Sequence, residues 1–148
     1  AGMIGQEDLA GWYGSLDVLC AASFAEGFGI PIIEAQACGV PVAVGNWTAM
    51  PELVGDGYLI EGTRWYDASQ GAFFKHAFVE SIVDAFEQAY QRRGGGSEKA
   101  RAFAMNYDER KVFTEMWVPV LDELERRRVE RRRLPAVRLT KPELPVAA

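Results

Sequence analysis

The sequence predicts an α/β protein in which a parallel sheet is flanked by helices and followed by a long C-terminal helix. Residues 17–22 and 41–44 are short, nearly continuous apolar runs, as expected for strands buried on both faces of a parallel sheet. A third apolar run covers residues 58–60. Helical signals separate these runs, and this alternation of strand and helix is typical of a parallel α/β sheet.

The helices between these strands are predicted in turn from capping residues and periodicity. Residues 6–13 predict a short helix, because acidic side chains occupy its first turn and apolar side chains share one face. Pro31 suits the start of a helix of about two turns, which Gly39 can end as a left-handed C-cap. A one-turn helix is predicted near residues 51–54.

The second half of the chain predicts a loop and then mostly helix. Residues 62–74 predict an ordered loop whose aromatic side chains either cover the core or stack on a nucleobase. Residues 75–92 predict an amphipathic helix, and Ser97 suits the N-cap of the next one. Helical spacing resumes at Asp108, with a kink or a new helix at Pro119. The aromatic residues of the loop are Trp65, Tyr66, Phe73 and Phe74.

Composition restricts the class of protein. The chain has 148 residues, of which 49% are hydrophobic and 25% charged, as expected for one soluble globular domain. No apolar run approaches the ~18 residues that span a bilayer, and the first residues lack the features of a signal peptide. We therefore expect a cytoplasmic protein without a membrane span. Cys20, Cys38 and His76 lack zinc-site spacing, so we expect reduced core thiols and no metal.

Charge divides the chain into an acidic body and a basic end. Residues 1–110 carry 7 basic and 15 acidic side chains, whereas residues 111–148 carry 9 basic and 6 acidic ones. We predict a folded domain over residues 1–125 and a basic helix end with a flexible tail over residues 126–148. The basic run can contact nucleic acid or an anionic membrane, or form a solvated helix end. The acidic body argues against a nucleic-acid partner.

The glycine-rich turn at residues 23–31 follows the first predicted strand. In open α/β sheets, ligands bind at the carboxyl ends of the strands, where a helix start can direct its N–H groups at phosphates. Gly27 and Gly29 flank Phe28, and their missing Cβ atoms let a polar ligand approach the backbone. The turn therefore predicts an anionic, hydroxyl-rich ligand.

Glu26 and Glu34 lie on either side of this turn, with Glu34 expected in the first helical turn after Pro31. We expect both carboxylates at one cleft, because carboxylates accept paired hydrogen bonds from vicinal diols. One would hold sugar hydroxyls and the other a ribose. Each residue alone has another interpretation, since Glu26 could be a solvated loop residue and Glu34 could simply favour the helix dipole.

The whole run at residues 23–42 resembles the family 4 (group 1) retaining glycosyltransferases. The shared pattern is S-x-x-E-G-F-G-x-P-x-x-E-A-x-A-x-G-x-P-V, in which seven residues separate the two glutamates. So many specified positions at fixed spacing are far more specific than a lone glycine motif. Similarity at Asp17-Val18, at residues 49–55 and at Tyr107-Asp108 extends the resemblance over about residues 3–125.

This resemblance implies the GT-B fold, in which two Rossmann-like domains face each other across a cleft. The chain would be the C-terminal donor-binding domain, truncated at its N-terminus, with a partial nucleotide-sugar-binding domain at residues 1–125. It implies hexose transfer from a nucleotide sugar with retention and without a metal or other cofactor. Glu26 would be the catalytic residue, touching donor-sugar hydroxyls and the reacting face, and Glu34 would hold the ribose. The other implied donor-binding residues are Ser23, Gly27, Phe28, Gly29, Ile30 and Thr48.

The expected partners follow from the same resemblance. Besides the nucleotide sugar, we expect an N-terminal acceptor domain or a separate partner chain. The resemblance also implies basic residues early in the second domain, before the point where this chain begins, that neutralise the departing diphosphate. The alternative is a non-catalytic module that binds a sugar nucleotide or docks a partner through the same fold. A half-sheet that lacks its neighbouring domain can expose apolar surface, so we hypothesise self-association.

Overall fold

The computed structural model describes residues 4–133, and the chain divides into two compact units, residues 1–108 and 109–148. The first unit contains every strand in the described residues, and the second is helical. The sequence-based division at residue 126 remains a prediction.

A three-stranded parallel sheet organises the first unit. Its strands, in the order β1-β2-β3, are Leu19–Ala21, Val42–Gly45 and Gly57–Ile60. In register, Val44 of β2 lies opposite Ala21 and Leu59. The parallel α/β sheet predicted from the apolar runs is confirmed, although β1 is shorter than its run.

Helices occupy the connections as predicted. The helices of the first unit are α1 (Gln6–Gly14), α2 (Ile30–Ala37), α3 (Val79–Gln91) and α4 (Glu98–Ala104), and a 3-10 turn covers Met50–Leu53. Gly39 has φ 81° just after α2, which confirms the left-handed ending. Ser97 Oγ accepts from the Ala100 N–H, which confirms the predicted cap.

Two apolar clusters lie on opposite faces of the sheet, because successive side chains of β2 point in opposite directions. Val42 and Val44 belong to one cluster, and Ala43 belongs to the other. The first cluster includes Tyr13, Ile32, Ala35, Val40, Trp47, Met50 and Leu53. The second includes Tyr58, Ile60, Ala85 and Ala89. Helices therefore cover β2 from both sides.

The prediction of a loop at residues 62–74 is wrong. An antiparallel hairpin forms there instead, from β4 (Gly62–Asp67) and β5 (Ala72–Ala77). Its strands are rich in aromatic residues, which favour strands, and a four-residue connection links them. Because β5 includes residues 75–77, α3 begins at Val79 and His76 lies in a strand rather than at a helix start.

Two buried polar side chains join the elements of the first unit. The Gln36 amide donates to Ile32 O and Leu53 O, and its oxygen accepts from the N–H groups of Gly55 and Asp56. The Asp56 carboxylate in turn accepts hydrogen bonds from the side chains of Arg92 and Ser97. These contacts join α2, the segment just before β3, the C-cap of α3 and the N-cap of α4.

The second unit is a helix with an irregular first part. It contains α5 (Glu109–Val112), a π-helical segment (Phe113–Trp117) and α6 (Val118–Arg133), which follow one another without a break. Of the two alternatives predicted at Pro119, a kink or a new helix, the irregularity takes the form of the π-helical segment just before the proline. The basic run is paired with acids: Arg126 and Arg127 contact Glu123, and Arg128 contacts Glu125. The predicted tail beyond residue 133 lies outside the described residues.

Two further expectations concern the thiols and the membrane. Cys20 and Cys38 are free thiols, but Cys20 is exposed on β1, an outer strand of the described sheet, so it is not a core residue. Between residues 4 and 133, no helix is both long and apolar enough to cross a membrane.

Candidate functional site

The glycine-rich turn leaves the carboxyl end of β1 and is held by three hydrogen bonds. The Trp47 indole N–H donates to Ser23 O at 3.0 Å, and the Glu26 N–H donates to Thr48 Oγ1 at 3.2 Å. The Lys75 N–H donates to Phe24 O at 3.2 Å. The turn is therefore attached both to the loop after β2 and to the free edge of β5.

The backbone N–H groups at the end of this turn are available to a ligand. Within residues 4–133, the N–H groups of Gly27, Phe28, Gly29 and Ile30 donate no hydrogen bond. Gly29 has φ 105°, and a Cβ there would lie 2.8 Å from Ile32 Cδ1, so only glycine fits comfortably. This turn places successive unbonded donors at the start of α2.

Ser23 and Thr48, two of the implied donor-binding residues, lie where the glycine-rich turn meets the loop after β2. Ser23 contributes its carbonyl to the Trp47 indole rather than a side-chain contact. Thr48 has φ 55°, an uncommon conformation for a β-branched residue, and its hydroxyl donates to Trp47 O at 2.7 Å. The same oxygen accepts a hydrogen bond from the Glu26 N–H. The residue with this uncommon backbone conformation therefore bonds to both Trp47 and Glu26.

Glu34 lies one residue deeper in α2 than expected. The helix starts at Ile30, so Glu34 is its fifth residue and the first turn contains no acid. Its Oε2 accepts a 2.8 Å hydrogen bond from the Tyr13 hydroxyl. The sequence predicts Tyr13 only as part of the apolar face of α1. The hydrogen bond of its hydroxyl depends on Glu34, which lies 21 residues further along the chain.

Tyr13 is 5% exposed and its acidity reflects this environment. Burial raises the pKa of Tyr13 to about 12, and the hydrogen bond and negative charge of Glu34 contribute in the same direction. The phenol therefore remains a hydrogen-bond donor throughout the neutral range. Glu34 also lines a shallow groove, whose other residues are Gln6, Leu9, Ala10, Tyr13, Ala37 and Cys38.

Glu26 has different neighbours from Glu34. Its side chain is half-buried, and its carboxylate has no hydrogen-bond partner within the described residues. Its backbone is fixed by Thr48, on the side of the loop after β2, whereas Glu34 is fixed from α1. The two glutamates thus precede and follow the unbonded N–H groups along the chain, and each is fixed from a different side.

Two aromatic residues of the hairpin do not cover the core. Tyr66 and Phe73 are 53% and 54% exposed, and neither belongs to the two apolar clusters. On the other face, Trp65 stacks on His76 at 5.1 Å between ring centroids, and Phe24 of the glycine-rich turn packs edge-on against both. The hairpin therefore lies directly beside the turn.

The first 91 residues match the family model described as "Glycosyl transferases group 1". The match covers more than half of the chain and includes the turn, α1, α2 and the whole parallel sheet. The chain belongs to the group 1 glycosyltransferases. The family resemblance of the sequence is thereby confirmed, and the fold agrees with the Rossmann-like half of such an enzyme.

Individual glycosyltransferases are similar to part of this chain. "O-antigen chain mannosyltransferase B" of Escherichia coli is 45% identical over 67 residues, which are 45% of this chain and 18% of that protein. "D-inositol 3-phosphate glycosyltransferase" of Paenarthrobacter aurescens (strain TC1) is 38% identical over 72 residues, covering 45% of this chain and 18% of the relative. The chain thus spans under one fifth of the length of these two relatives.

A longer alignment reaches the hairpin and the helices beyond it. "Uncharacterized glycosyltransferase 335" of Sulfolobus islandicus rod-shaped virus 1 is 31% identical over 122 residues, covering 76% of this chain and 36% of that protein. Within residues 4–133, no cluster of three or more His, Cys, Asp or Glu side chains could hold a metal ion. Metal independence of this glycosyltransferase chain stays a prediction.

Proposed function

We propose that this chain is the donor-binding part of a retaining glycosyltransferase that transfers a hexose from a nucleoside-diphosphate sugar. The observation that carries the proposal is the run of unbonded N–H groups at Gly27 to Ile30, between a parallel strand and the helix that follows it. Such a helix start favours phosphate and hydroxyl oxygens through its N–H groups and its dipole. These amides would bind the diphosphate and the sugar hydroxyls.

Glu34 would hold the ribose diol of the nucleotide. An ionised carboxylate accepts about four hydrogen bonds, so the bond from Tyr13 leaves room for two ribose hydroxyls. Tyr13 would also restrict the carboxylate to one orientation, which reduces the conformational entropy lost on binding. This division of roles is supported by the separate surroundings of Glu34 and Glu26.

Glu26 would act at the opposite end, on the transferred hexose. Its carboxylate is unbonded in the described residues, while its backbone is fixed by Thr48. A carboxylate held in this way can accept hydrogen bonds from sugar hydroxyls and stabilise positive charge that develops at the reacting carbon. The mannosyltransferase relative is named for transfer of a hexose, which supports this class of donor.

The remaining parts of the reaction would come from outside this chain. We propose that an acceptor domain, or a separate partner chain, completes the cleft, and that basic residues outside this chain, early in the donor-binding domain, neutralise the departing diphosphate. No metal or other cofactor is included in the proposal, and the proposed location is the cytoplasm. Ser23 and Thr48 would form the wall of the cleft beside Glu26.

Calorimetric titration of the full chain tests the donor role. UDP, GDP and ADP and their hexose conjugates would be titrated into the wild type, into Glu34→Gln, and into Glu80→Gln, an exposed glutamate of α3 that serves as a matched control. We expect one nucleotide to bind, Glu34→Gln to weaken it about tenfold, and the control to bind normally. Binding of none of these nucleotides, or equal affinity in both variants, would contradict the proposal.

A further inference from the structure

The β4–β5 hairpin presents one face that combines positive charge with exposed aromatic rings. Residues directly opposite each other in an antiparallel pair share a face of the sheet. Arg64 lies opposite Lys75, and Tyr66 lies opposite Phe73. We call these four residues the basic–aromatic face.

The two aromatic rings of this face contact each other and are open to solvent. Tyr66 and Phe73 lie 5.0 Å apart between ring centroids, and more than half of each side chain is exposed. The Arg64 guanidinium lies 3.6 Å from the Phe73 ring centroid. This contact orients the guanidinium beside the rings without using its five N–H donors.

In the part of the chain that the structure describes, the two cations of this face have no acidic partner. Like charges directly opposite each other destabilise a strand pair, so an acidic neighbour would be expected if the hairpin were selected for stability alone. None of the ion pairs within residues 4–133 involves Arg64 or Lys75. The nearby acids are already engaged, since Glu61 accepts from the Asn46 amide and Asp67 accepts from Ser69 and Gln70.

Lys75 connects the basic–aromatic face to the candidate site. Its ammonium group lies 3.4 Å from Asn46 O and 5.4 Å from the Trp47 ring centroid, at the carboxyl end of β2. Its backbone N–H bonds to Phe24 of the glycine-rich turn. An ammonium group has three donors, so this single long hydrogen bond leaves it able to bind an anion.

The position of the hairpin indicates which substrate it would meet. Glu34, the proposed ribose residue, contacts α1, whereas the hairpin lies at the other end of the turn. Phe24 packs on the opposite face of the hairpin, and the basic–aromatic face reaches this region through the Lys75 ammonium group, beside the loop after β2. A nucleotide sugar that extends from Glu34 towards Glu26 therefore directs its hexose, and not its base, towards the hairpin. The group that approaches the hexose from this side is the acceptor.

We propose that the basic–aromatic face binds an anionic saccharide as the acceptor of the transferred sugar. Arg64 and Lys75 bind its phosphate or carboxylate group, and Tyr66 and Phe73 pack against the apolar face of its ring. This assignment rests on the proposed donor function, because the side of the turn that faces the acceptor is defined by where the nucleotide lies. To the donor function it adds an anionic saccharide as the class of acceptor and the hairpin residues that select it.

Two-dimensional NMR of the full chain tests this site with glucose 6-phosphate, glucuronate and glucose as probes. The variants are Arg64→Gln and Lys75→Gln. The matched controls are Arg93→Gln, whose guanidinium stacks on Tyr90 at 3.8 Å in the same way, and Lys99→Gln, an exposed lysine on α4. The backbone spectra of the variants establish that each remains folded.

We expect the anionic probes to shift hairpin resonances and glucose to have a much smaller effect. Each hairpin variant should weaken this binding about tenfold, since each removes a charge-assisted hydrogen bond, and the controls should leave it unchanged. A response to glucose 6-phosphate alone would support the proposal and narrow the anion to phosphate. Equal binding of glucose, no shifts in the hairpin, or equal losses in the controls would overturn it.

A nucleotide titration on the same samples separates the two proposals. If a nucleoside diphosphate binds to the wild type and the anionic sugars do not, only the acceptor assignment fails. If no nucleoside diphosphate binds, the donor function fails, whatever the sugars do. We expect the hairpin variants to bind the nucleotide with wild-type affinity, because neither residue contacts Glu34 or the N–H groups of the turn.

Discussion

The hydroxyl of Tyr13 donates a 2.8 Å hydrogen bond to Oε2 of Glu34. This contact joins α1 to α2 and fixes the carboxylate that the family resemblance associates with the ribose. Tyr13 is itself part of the apolar cluster on that face of the sheet, so the position of its hydroxyl is determined by core packing. A buried donor of this kind restricts Glu34 more strongly than an exposed side chain would.

Replacement of Tyr13 by Phe tests this positioning role. The change removes only the hydroxyl, so we expect the fold to remain and nucleotide affinity to fall several-fold, because Glu34 gains rotational freedom. Trp12→Phe on the exposed side of α1 is the control. Calorimetry with the nucleotide found for the wild type measures the effect, and unchanged affinity in Tyr13→Phe would show that Glu34 does not need this partner.

Alkaline unfolding gives a second readout of the same contact. The pKa of Tyr13 is raised from 10.0 to about 12, so its contribution to stability is fully present below pH 10. That contribution should be lost as the pH rises through about 12. Denaturant melts between these pH values should show a smaller decrease for Tyr13→Phe than for the wild type, and parallel curves would contradict the assignment.

The ionisation of Asp56 affects how the stability of the fold changes in acid. Hydrogen bonds from Arg92 are the main cause that lowers the pKa of this carboxyl, and Ser97 and nearby positive charge contribute. Its stabilisation is therefore present above the ordinary value of 3.8 and is lost as the pH falls through the lower folded-state pKa. At neutral pH, Asp56→Ala should cost about 2 kcal/mol of unfolding free energy, because two donors lose their partner.

Urea denaturation of Asp56→Ala and a control measures this cost. Glu98→Gln removes the Arg101 pair, in which both side chains are largely exposed, and should change stability by under about 0.5 kcal/mol. The difference between the two variants should shrink in acid. Equal stability of the two variants at neutral pH would show that the buried network contributes little.

Gln36 should be among the most sensitive positions of the first unit. Its side chain is fully buried and makes four hydrogen bonds, to Ile32, Leu53, Gly55 and Asp56. Gln36→Met should cost about 3 kcal/mol, because it leaves buried backbone groups without partners. Gln88→Met is the control, since Gln88 makes a similar bond to Asp84 O but is exposed. Thermal melts compare them, and similar losses would contradict this explanation.

Gly29→Ala tests the backbone of the glycine-rich turn. At φ 105° an alanine is strained, and its Cβ would press on Ile32, so we expect a loss of about 1–2 kcal/mol together with weaker nucleotide binding. Gly95→Ala, in an open loop where a Cβ meets nothing within 4 Å, is the control. Wild-type stability and binding in Gly29→Ala would mean that the turn tolerates a side chain.

The apolar stripe on α3 tests the hypothesis of self-association. Val79, Val83, Phe86 and Tyr90 recur at helical spacing, and each is at least 45% exposed. Val83→Glu should reduce association, whereas Ala102→Glu on α4 adds the same charge outside the stripe and should not. Sedimentation velocity over a range of concentrations measures the effect, and a wild type that remains monomeric at the highest concentration would exclude this role for the stripe.

The misassigned hairpin shows where sequence reasoning failed and why. Residues 62–74 contain glycine, aspartate and serine among aromatic residues, which obscures the alternation of a strand. The hairpin is stabilised by contacts with distant residues, namely the bond from Lys75 to Phe24 and the packing of Phe24 against Trp65 and His76. Local propensity contains no information about these partners.

The sequence by itself determined the parallel sheet, the glycine-rich turn, the helix caps and the glycosyltransferase family, because each depends on residue type at short, fixed spacing. The tertiary structure alone decided which side chains meet. Tyr13 and Glu34 are 21 residues apart, and Gln36 occupies an unspecified position of the family pattern although it is fully buried. Such contacts depend on how helices pack against the sheet, and packing is a property of the whole fold rather than of any one segment.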